Sequence, residues 1–446
     1  MDRGATLLAR DALATPDLRR LQLAAAASGI GGWAFMVALA IHAYAVGGAA
    51  AVGLAALVRM VPAGLAAPLT GLAADRFSRR DVLLASLAAR AILLLAATLA
   101  VAAGAPLALL LVLATLFTVA ATAQKPSQAA LLPYLAPDRS RQAAANALWT
   151  GIDNGAFVVG AVAGGALVAA FGAAAAFAVS AIAFAAAAAT LAGVGRDPRA
   201  SCFSRSTRET LHSPLEGLRV VARDRRLRLL VGVLSMSTLV EGAVDVLVVV
   251  TALRIVGIGD AGVGWLNAAW GIGGLVGGAV ALSLLADQRL RLALPAGGLL
   301  IGLPLLALAA LPYASVALIG LTLLGVGYAL VETSGITLLQ RLAHDRVRAR
   351  TVAVVESSYW LTTGAGAMLA PLLIALAGPR GALVIVGAAL PLLVLARGAA
   401  LTRLVPGATA EYREAVSASA RPALAGVRSP AAATVARPGT PAARRT

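Results

Sequence analysis

Two carboxylates lie close together inside one apolar stretch of this sequence. Glu241 and Asp245 are four residues apart within the stretch of about Leu227–Ala252. On a helix this spacing puts both side chains on one face, and like charges in a dry surrounding disfavour the ionisation of both groups. A pair that holds one proton and can release it is suited to carrying protons, so these residues are the first candidates for proton coupling.

An arginine in a different apolar stretch gives Asp245 a second possible role. At a helical rise of ~1.5 Å per residue, Arg59 lies about 12 Å below the nearer end of its stretch and Asp245 about 10 Å below the nearer end of its own. The matching depths would allow an ion pair, which could be a static bridge or an outer gate. Glu241 then remains the better candidate for the proton carrier, because an intramembrane charge costs ~2.5–3.5 kcal/mol.

Other polar and aromatic residues within apolar stretches form a secondary set. Asp153 and Glu332 are further candidates for proton coupling. His42 could titrate near neutral pH, although a passive, hydrogen-bonded histidine is the alternative. The candidates for lining a substrate cavity are Trp33, His42, Asn154 and Asn267.

Glycines recur at spacings of four or five residues in two of the apolar stretches. Small residues at such spacing let helices approach closely. They could serve packing alone, or they could also provide smooth contacts along which helices slide during a conformational cycle. The set comprises Gly151, Gly155, Gly160, Gly164, Gly273 and Gly277.

A short charged loop, Gly71–Arg80, separates two long apolar stretches. Its lone-standing carboxylate, Asp75, would find a partner in the loop's own arginines or at the positive N-terminal end of another helix. We expect Asp75 to face the N-terminus of the stretch around Thr351–Glu356. One of Arg76, Arg79 and Arg80 would pair with Glu356. Such a contact would form a latch that holds a gate shut; the alternative is a purely topological role for the arginines.

These residues must be positioned by membrane-spanning helices. The chain has 446 residues, of which 60% are apolar and only 13% charged, and its mean hydropathy is +0.87. A span needs roughly 20 apolar residues. The sequence predicts an all-α membrane protein with twelve spans, at about Leu21–Val46, Ala49–Ala74, Val82–Ala103, Leu107–Ala123, Ala144–Ala170, Ala173–Val194, Leu227–Ala252, Val263–Ala286, Leu292–Leu311, Ser315–Leu338, Thr351–Ala377 and Ala382–Leu401.

The charges between the spans predict orientation and domain organisation. One side carries 31 lysines and arginines against two on the other, Arg254 and Arg380. The positive-inside rule therefore predicts cytoplasmic termini in a multi-pass protein of the cell membrane. The expected organisation is a cytoplasmic N-terminus (1–20), two six-helix bundles (21–195 and 227–403), a cytoplasmic linker between them (196–226) and a disordered tail (404–446).

The loop Gly71–Arg80 resembles the signature loop between helices 2 and 3 of the major facilitator superfamily of secondary transporters. The resemblance covers about Asp17–Arg403. It implies two six-helix pseudo-repeats with a substrate site at their interface near the middle of the membrane. It also implies alternating access, with a small-molecule substrate as the partner and no cofactor.

Three further stretches are similar to the drug and siderophore exporter branch, which includes macrolide efflux proteins and the enterobactin exporter. They are Asp17–Leu21, Gln128–Pro133 followed by Ala145–Leu148, and Leu338–Arg341. One feature departs from the antiporters of the superfamily. Their Gly-Pro pair in helix 5 has no counterpart in Gly160–Gly165, where alanine replaces the proline.

The composition argues against several other classes. The single lysine, Lys125, is not in a phosphate-binding loop, so an ATP-driven pump is not expected. Three scattered histidines and one cysteine cannot assemble a metal site. The net charge of +17 follows the membrane orientation and does not indicate nucleic acid.

The sequence therefore predicts a monomeric, non-enzymatic transporter that exchanges a small apolar or amphipathic molecule for protons. Two alternatives stay open: a permease for a metabolite or lipid-like solute, and a non-transporting membrane scaffold.

Overall fold

The computed structural model describes residues 15–136, 139–195, 219, 221–286, 290–342 and 345–402. The expected tail and most of the expected linker lie outside these residues. Every secondary-structure element in the described part is helical. The helices are α1 Pro16–Arg76, α2 Arg79–Ala102, α3 Leu107–Ala121, α4 Gln124–Leu135, α5 Arg139–Phe171, α6 Ala173–Ala192, α7 Arg225–Val250, α8 Gly259–Ala286, α9 Leu290–Ala310, α10 Ala314–Leu342 and α11 Asp345–Thr402.

The longest helices, α1 and α11, each contain a break at glycine. Gly48 (φ 62°) follows a distorted Gly47 in α1, and Gly378 (φ 74°) interrupts α11. These positive φ values are strained for residues with a Cβ, so glycine is required. Each break divides its helix into a first arm and a second arm.

Ten helices in the described part are long and apolar enough to cross a membrane. Two of these ten contain the broken segments, so the prediction of twelve spans depends on counting each arm of α1 and α11 separately. The all-helical membrane fold is as predicted.

The predicted span Leu107–Ala123 is interrupted rather than continuous. Helix α3 ends at Ala121, and α4 begins at Gln124. Pro126 follows closely; it lacks an N–H donor and restricts the residue before it, which favours a break here.

Local capping explains where several helices begin. The side chain of Ser78 accepts a hydrogen bond from the Asp81 backbone N–H at the start of α2. Asp224 accepts from the N–H groups of Arg226 and Leu227 at the start of α7. These side chains satisfy donors that the first helical turn leaves unpaired.

Helices α1–α6, the first half, pack mainly against one another. Helices α7–α11, the second half, do the same, with α7 against α11 and α8 against α10. The two halves meet where the second arm of α1 packs against α11 and where α5 packs against α8. The site described below lies along these two contacts.

The helix ends define two sides of the molecule. The termini side carries Pro16 and Thr402; the turn side carries the breaks at Gly48 and Gly378. On the termini side, two arginines of the first half donate hydrogen bonds to the end of α6. Arg20 donates to the Gly193 carbonyl and Arg80 to the Ala192 carbonyl, each at 2.5 Å. Both cap the C-terminal end of α6, whose last carbonyls have no partners within the helix.

Candidate functional site

The two acids predicted from the sequence lie on α7 and are only partly buried. Glu241 accepts a hydrogen bond of 3.3 Å from the hydroxyl of Tyr359 on the first arm of α11. Asp245, one turn further along α7, interacts electrostatically with Glu241. Glu241 therefore faces a group of a neighbouring helix, and Asp245 lies beside it on α7.

Arg59 reaches this pair from the other half of the molecule. Its guanidinium interacts electrostatically with Asp245. One terminal nitrogen contacts the sulfur of Met36 on the first arm of α1, while the Nε atom is buried without a hydrogen-bond partner in the described part. Arg59 and Asp245 thus interact electrostatically across the interface of the halves, and the ion pair expected from their depths stays a prediction.

Two tyrosines that the sequence did not single out for proton coupling complete the cluster. Tyr359 binds Glu241, and Tyr328 on α10 donates to the Ser237 carbonyl of α7 at 3.3 Å. Tyr328 interacts electrostatically with both acids. No spacing rule links α7 with α10 or α11, so only the fold reveals these partners.

The hydroxyls of Thr238 and Thr362 also meet between α7 and α11, at 2.5 Å. Glu332, a secondary candidate, lies on α10 with an exposed side chain and interacts electrostatically with Glu241. In the described part, Asp153 is not among the groups that interact with Glu241; it is an exposed residue of α5. The structure therefore brings three of the four predicted acids together.

A row of aromatic rings runs across the interface to this acid cluster. The centroids of Trp33 and Phe157 are 4.3 Å apart, those of Phe157 and Trp270 are 6.3 Å apart, and those of Trp270 and Tyr328 are 5.4 Å apart. Trp33 and Phe157 belong to the first half, and Trp270 and Tyr328 to the second. The row offers flat apolar surface that ends beside Glu241 and Asp245.

The other predicted cavity residues lie elsewhere or bond locally. The ring of His42 lies edge-on to Phe177, with centroids 6.5 Å apart. The side-chain amides of Asn154 and Asn267 donate to carbonyls one turn back in their own helices, at 2.9 and 2.8 Å. None of these three contacts ties its residue to the acid cluster.

On the turn side, the halves are in close contact. A Cβ added to Gly53 would lie 2.5 Å from the Ala367 carbonyl oxygen, and one added to Gly165 would lie 2.9 Å from the Gly264 nitrogen. Nearer the middle of the membrane, a Cβ on Gly64 would meet Trp360 at 3.0 Å. The seam formed by these glycines leaves no room for larger residues and closes the turn side.

On the termini side of the same helices, this close contact is not continued. No described atom lies within 4 Å of a Cβ added to Gly151 or Gly155 on α5, or to Gly274 or Gly278 on α8. In the described part, α5 and α8 are thus in close contact on the turn side, whereas these four glycines on the termini side have no neighbour within 4 Å. Gly151 and Gly155 therefore face open space in this conformation, and their helix-packing role stays a prediction.

The remaining predicted packing glycines lie against helices of their own half. Cβ atoms on Gly160 and Gly164 would meet the carbonyls of Ile30 and Ala34 at 2.6 and 2.5 Å. Gly273 and Gly277 face α10 in the same close manner. These positions hold each half together.

The proposed latch is only partly covered by the structure. The side chains of Asp75, Arg76 and Glu356 lie outside the described part. Arg79 is half-buried at the start of α2. Arg80 donates to Asp81 at 2.7 Å in addition to its bond to α6.

A second buried arginine lies outside the acid cluster. Arg90 of α2 donates to the Gln124 side-chain oxygen at 2.6 Å and to the Ser86 carbonyl at 3.3 Å. Its guanidinium lies 4.5 Å from the ring centroid of Phe184 and 5.7 Å from that of Phe117. The described partners of Arg90 are a neutral amide, a carbonyl and two aromatic rings.

Comparison with known proteins identifies the architecture. A family model described as Major Facilitator Superfamily matches residues 21–346. The chain is similar to a structure of the nucleoside transporter NupG, with 12% identity, a TM-score of 0.73 and coverage of 86% of this chain and 99% of that one. No curated protein matches the chain.

Two other solved structures show the same fold. A POT family transporter in complex with 5-aminolevulinic acid has 13% identity and a TM-score of 0.70, covering 86% of this chain and 96% of that one. A bacterial homologue of the human lysosomal transporter Spinster, inward-facing and unoccupied, has 16% identity and a TM-score of 0.64, covering 86% and 97%. At these identities the similarity shows the fold alone.

Proposed function

The chain belongs to the Major Facilitator Superfamily, and we propose that it exports a small apolar or amphipathic molecule in exchange for protons by alternating access. The observation that carries this proposal is the placement of Glu241 and Asp245 at the interface of the halves, opposite Arg59. Intramembrane acids are costly and are typical of proton pathways. Here they also adjoin the surface along which the two halves would have to separate.

Arg59 and Asp245 provide a coupling mechanism. When Asp245 is ionised, its attraction to Arg59 favours the closed turn side seen in the structure. A proton on Asp245, or a substrate that comes between Asp245 and Arg59, would weaken that attraction, so the halves could separate there when either is bound. Glu241, held by Tyr359, would then pass the proton between Asp245 and the termini side.

The aromatic row supplies the substrate surface. Its rings from both halves would sandwich an apolar body beside the acids, and they would separate when the halves move. In an exchanger, protons and substrate would compete for this shared site, so that occupancy by one displaces the other. This competition is the simplest basis for exchange.

The charge asymmetry of the sequence supports a cytoplasmic location for the termini side. We propose that the protein works in the cell membrane as a monomer. The resemblance to the exporter branch favours efflux. The latch of Asp75 with Arg76, Arg79 or Arg80 and Glu356 would then close the cytoplasmic side in the opposite state.

Uptake is the second candidate function. The same fold occurs in proteins that are described as a peptide transporter and a nucleoside transporter. The same acids could drive symport, since a carboxylate pair can bind its proton together with a substrate. The third candidate function is that of a non-transporting membrane scaffold with the same fold.

Proton movement in inside-out vesicles tests the proposal. A panel of drugs and siderophores is added outside while lumenal pH is followed, with wild type, E241Q/D245N and, as a matched amide control, D153N. We expect at least one compound to raise lumenal pH with wild type and D153N only. A fall in lumenal pH would indicate symport, and compound flux without any pH change would overturn proton coupling.

A further inference from the structure

The turn side carries a cleft that the transport proposal does not use. Its volume is about 320 Å³, and it lies between the π-helical turn Thr251–Ile255 that ends α7 and the break in α11. The residues that line it are Arg254, Ile255, Ala377, Gly378, Pro379 and Arg380.

The two arginines of this cleft are unusual in the sequence. They are the two basic residues that the charge pattern assigns to the turn side, against 31 on the other. Although 126 positions separate them, as their residue numbers show, the fold brings both to one cleft. Two exposed guanidinium groups on a cleft without a lining carboxylate create a concentrated positive field.

The backbone adds to this field. The second arm of α11 begins at the break, so the positive end of its dipole points toward the cleft. Its first residues after Gly378 are Pro379 and Arg380. The N–H groups of a first helical turn have no partners within the helix and are suited to bind anions. The helix end and the two arginines therefore both favour an anionic ligand.

The cleft is also next to the interface of the halves. The guanidinium of Arg254 lies 5.9 Å from the ring centroid of Tyr44, at the turn-side end of the first arm of α1. A ligand held by Arg254 would thus sit beside a contact between the first and second halves.

We propose that the cleft formed by Arg254, Arg380 and the start of the second arm of α11 binds a phosphate group, presented by an anionic phospholipid of the turn-side leaflet or by a free anion. Planar guanidinium groups match the geometry of phosphate oxygens and form charge-assisted hydrogen bonds with them. The inference does not depend on the transported substrate or on proton coupling.

Lipid binding to the full-length protein provides the test. Protein in phosphatidylcholine nanodiscs receives increasing phosphatidylglycerol, and the number of retained anionic lipids is measured by native mass spectrometry. Inorganic phosphate is titrated separately by calorimetry into nanodiscs of phosphatidylcholine alone. The variants are R254Q/R380Q, the charge-preserving R254K/R380K, and R397Q as a matched control. Arg397 is exposed on the same arm, about 25 Å from Arg380 by helical rise.

We expect wild type and R397Q to retain one anionic lipid that R254Q/R380Q binds about tenfold more weakly, the equivalent of one charge-assisted contact. R254K/R380K should keep part of this binding. Arginine-dependent binding of inorganic phosphate as well would assign the site to free anions. Equal lipid retention by wild type and R254Q/R380Q, with no phosphate binding, would show that the arginines only anchor the helices, and would overturn the proposal.

Discussion

The two intramembrane arginines of the first half differ in how completely their surroundings satisfy them. Arg90 is 4% exposed, donates to Gln124 and Ser86, and lies over two phenylalanine rings. Arg59 contacts a methionine sulfur, has a buried Nε without a described partner, and interacts with an acid of the opposite half.

This difference indicates a structural role for Arg90 and a role in conformational change for Arg59. The described partners of Arg90 all belong to the first half, so they move with it when the halves separate. The charge partner of Arg59 belongs to the second half, so their attraction depends on the conformation. A buried group with incomplete hydrogen bonding is costly, and the proposed transport cycle would give the incomplete bonding of Arg59 a function.

The largest effect is expected at the acid that Tyr359 binds. E241Q should reduce proton-linked flux to background, because an amide cannot exchange a proton. The measurement is compound-induced pH change in vesicles, with D153N as the control. Retained coupling in E241Q at normal expression would remove Glu241 from the proton pathway.

The different roles of Arg90 and Arg59 can be tested by replacing each arginine with glutamine. R90Q should lower the free energy of unfolding by about 1–3 kcal/mol, because it loses cation–π and charge-assisted contacts in a buried site. R59Q should keep near wild-type thermal stability in detergent but lose coupled transport. If R59Q were the less stable of the two, the assignment of roles would be reversed.

The glycine seam offers a test of turn-side closure. G165V should hold the turn side open, because even a Cβ would lie 2.9 Å from Gly264. G155V, ten residues away on the same helix, faces open space and should change little. Cysteine-accessibility labelling of turn-side positions should rise several-fold in G165V only. Equal labelling in both variants would contradict the seam.

The smallest effect is expected for Y359F. It removes the 3.3 Å hydrogen bond to Glu241 but no charge. A hydrogen bond of this kind contributes about 1 kcal/mol, so the rate of coupled flux should fall about fivefold. Y134F, an exposed tyrosine of α4, is the control. An unchanged rate in Y359F would show that Glu241 does not need this donor.

Much of this architecture could be predicted from hydropathy and charge. The apolar stretches locate the membrane helices because lipid demands long helical segments. The position of Glu241 and Asp245 on one helix face follows from their spacing alone, and the depth of Arg59 follows from the helical rise. Both are local properties, which can be calculated from residue numbers within one helix.

What could not be predicted depends on contacts between distant segments. Tyr359 and Tyr328 reach the acids only through the packing of α10 and α11 against α7. Glycines at equal spacing differ in their surroundings because Gly160 faces α1 whereas Gly155 faces open space. Gln124, which accepts a hydrogen bond from Arg90, likewise lies at the start of α4, just after a break that the predicted fourth span did not include.

The central claim is that the charge state of Asp245 decides whether the turn side is closed. It can be tested without a substrate by measuring the distance between spin labels at V46C and L311C, two exposed positions on opposite halves, in a C202S background. Wild type should show a longer distance at low pH, where Asp245 is neutralised, than at high pH, and D245N should show the longer distance at both. A wild-type distance that does not change with pH, or a D245N distance that follows the wild-type change, would contradict the claim.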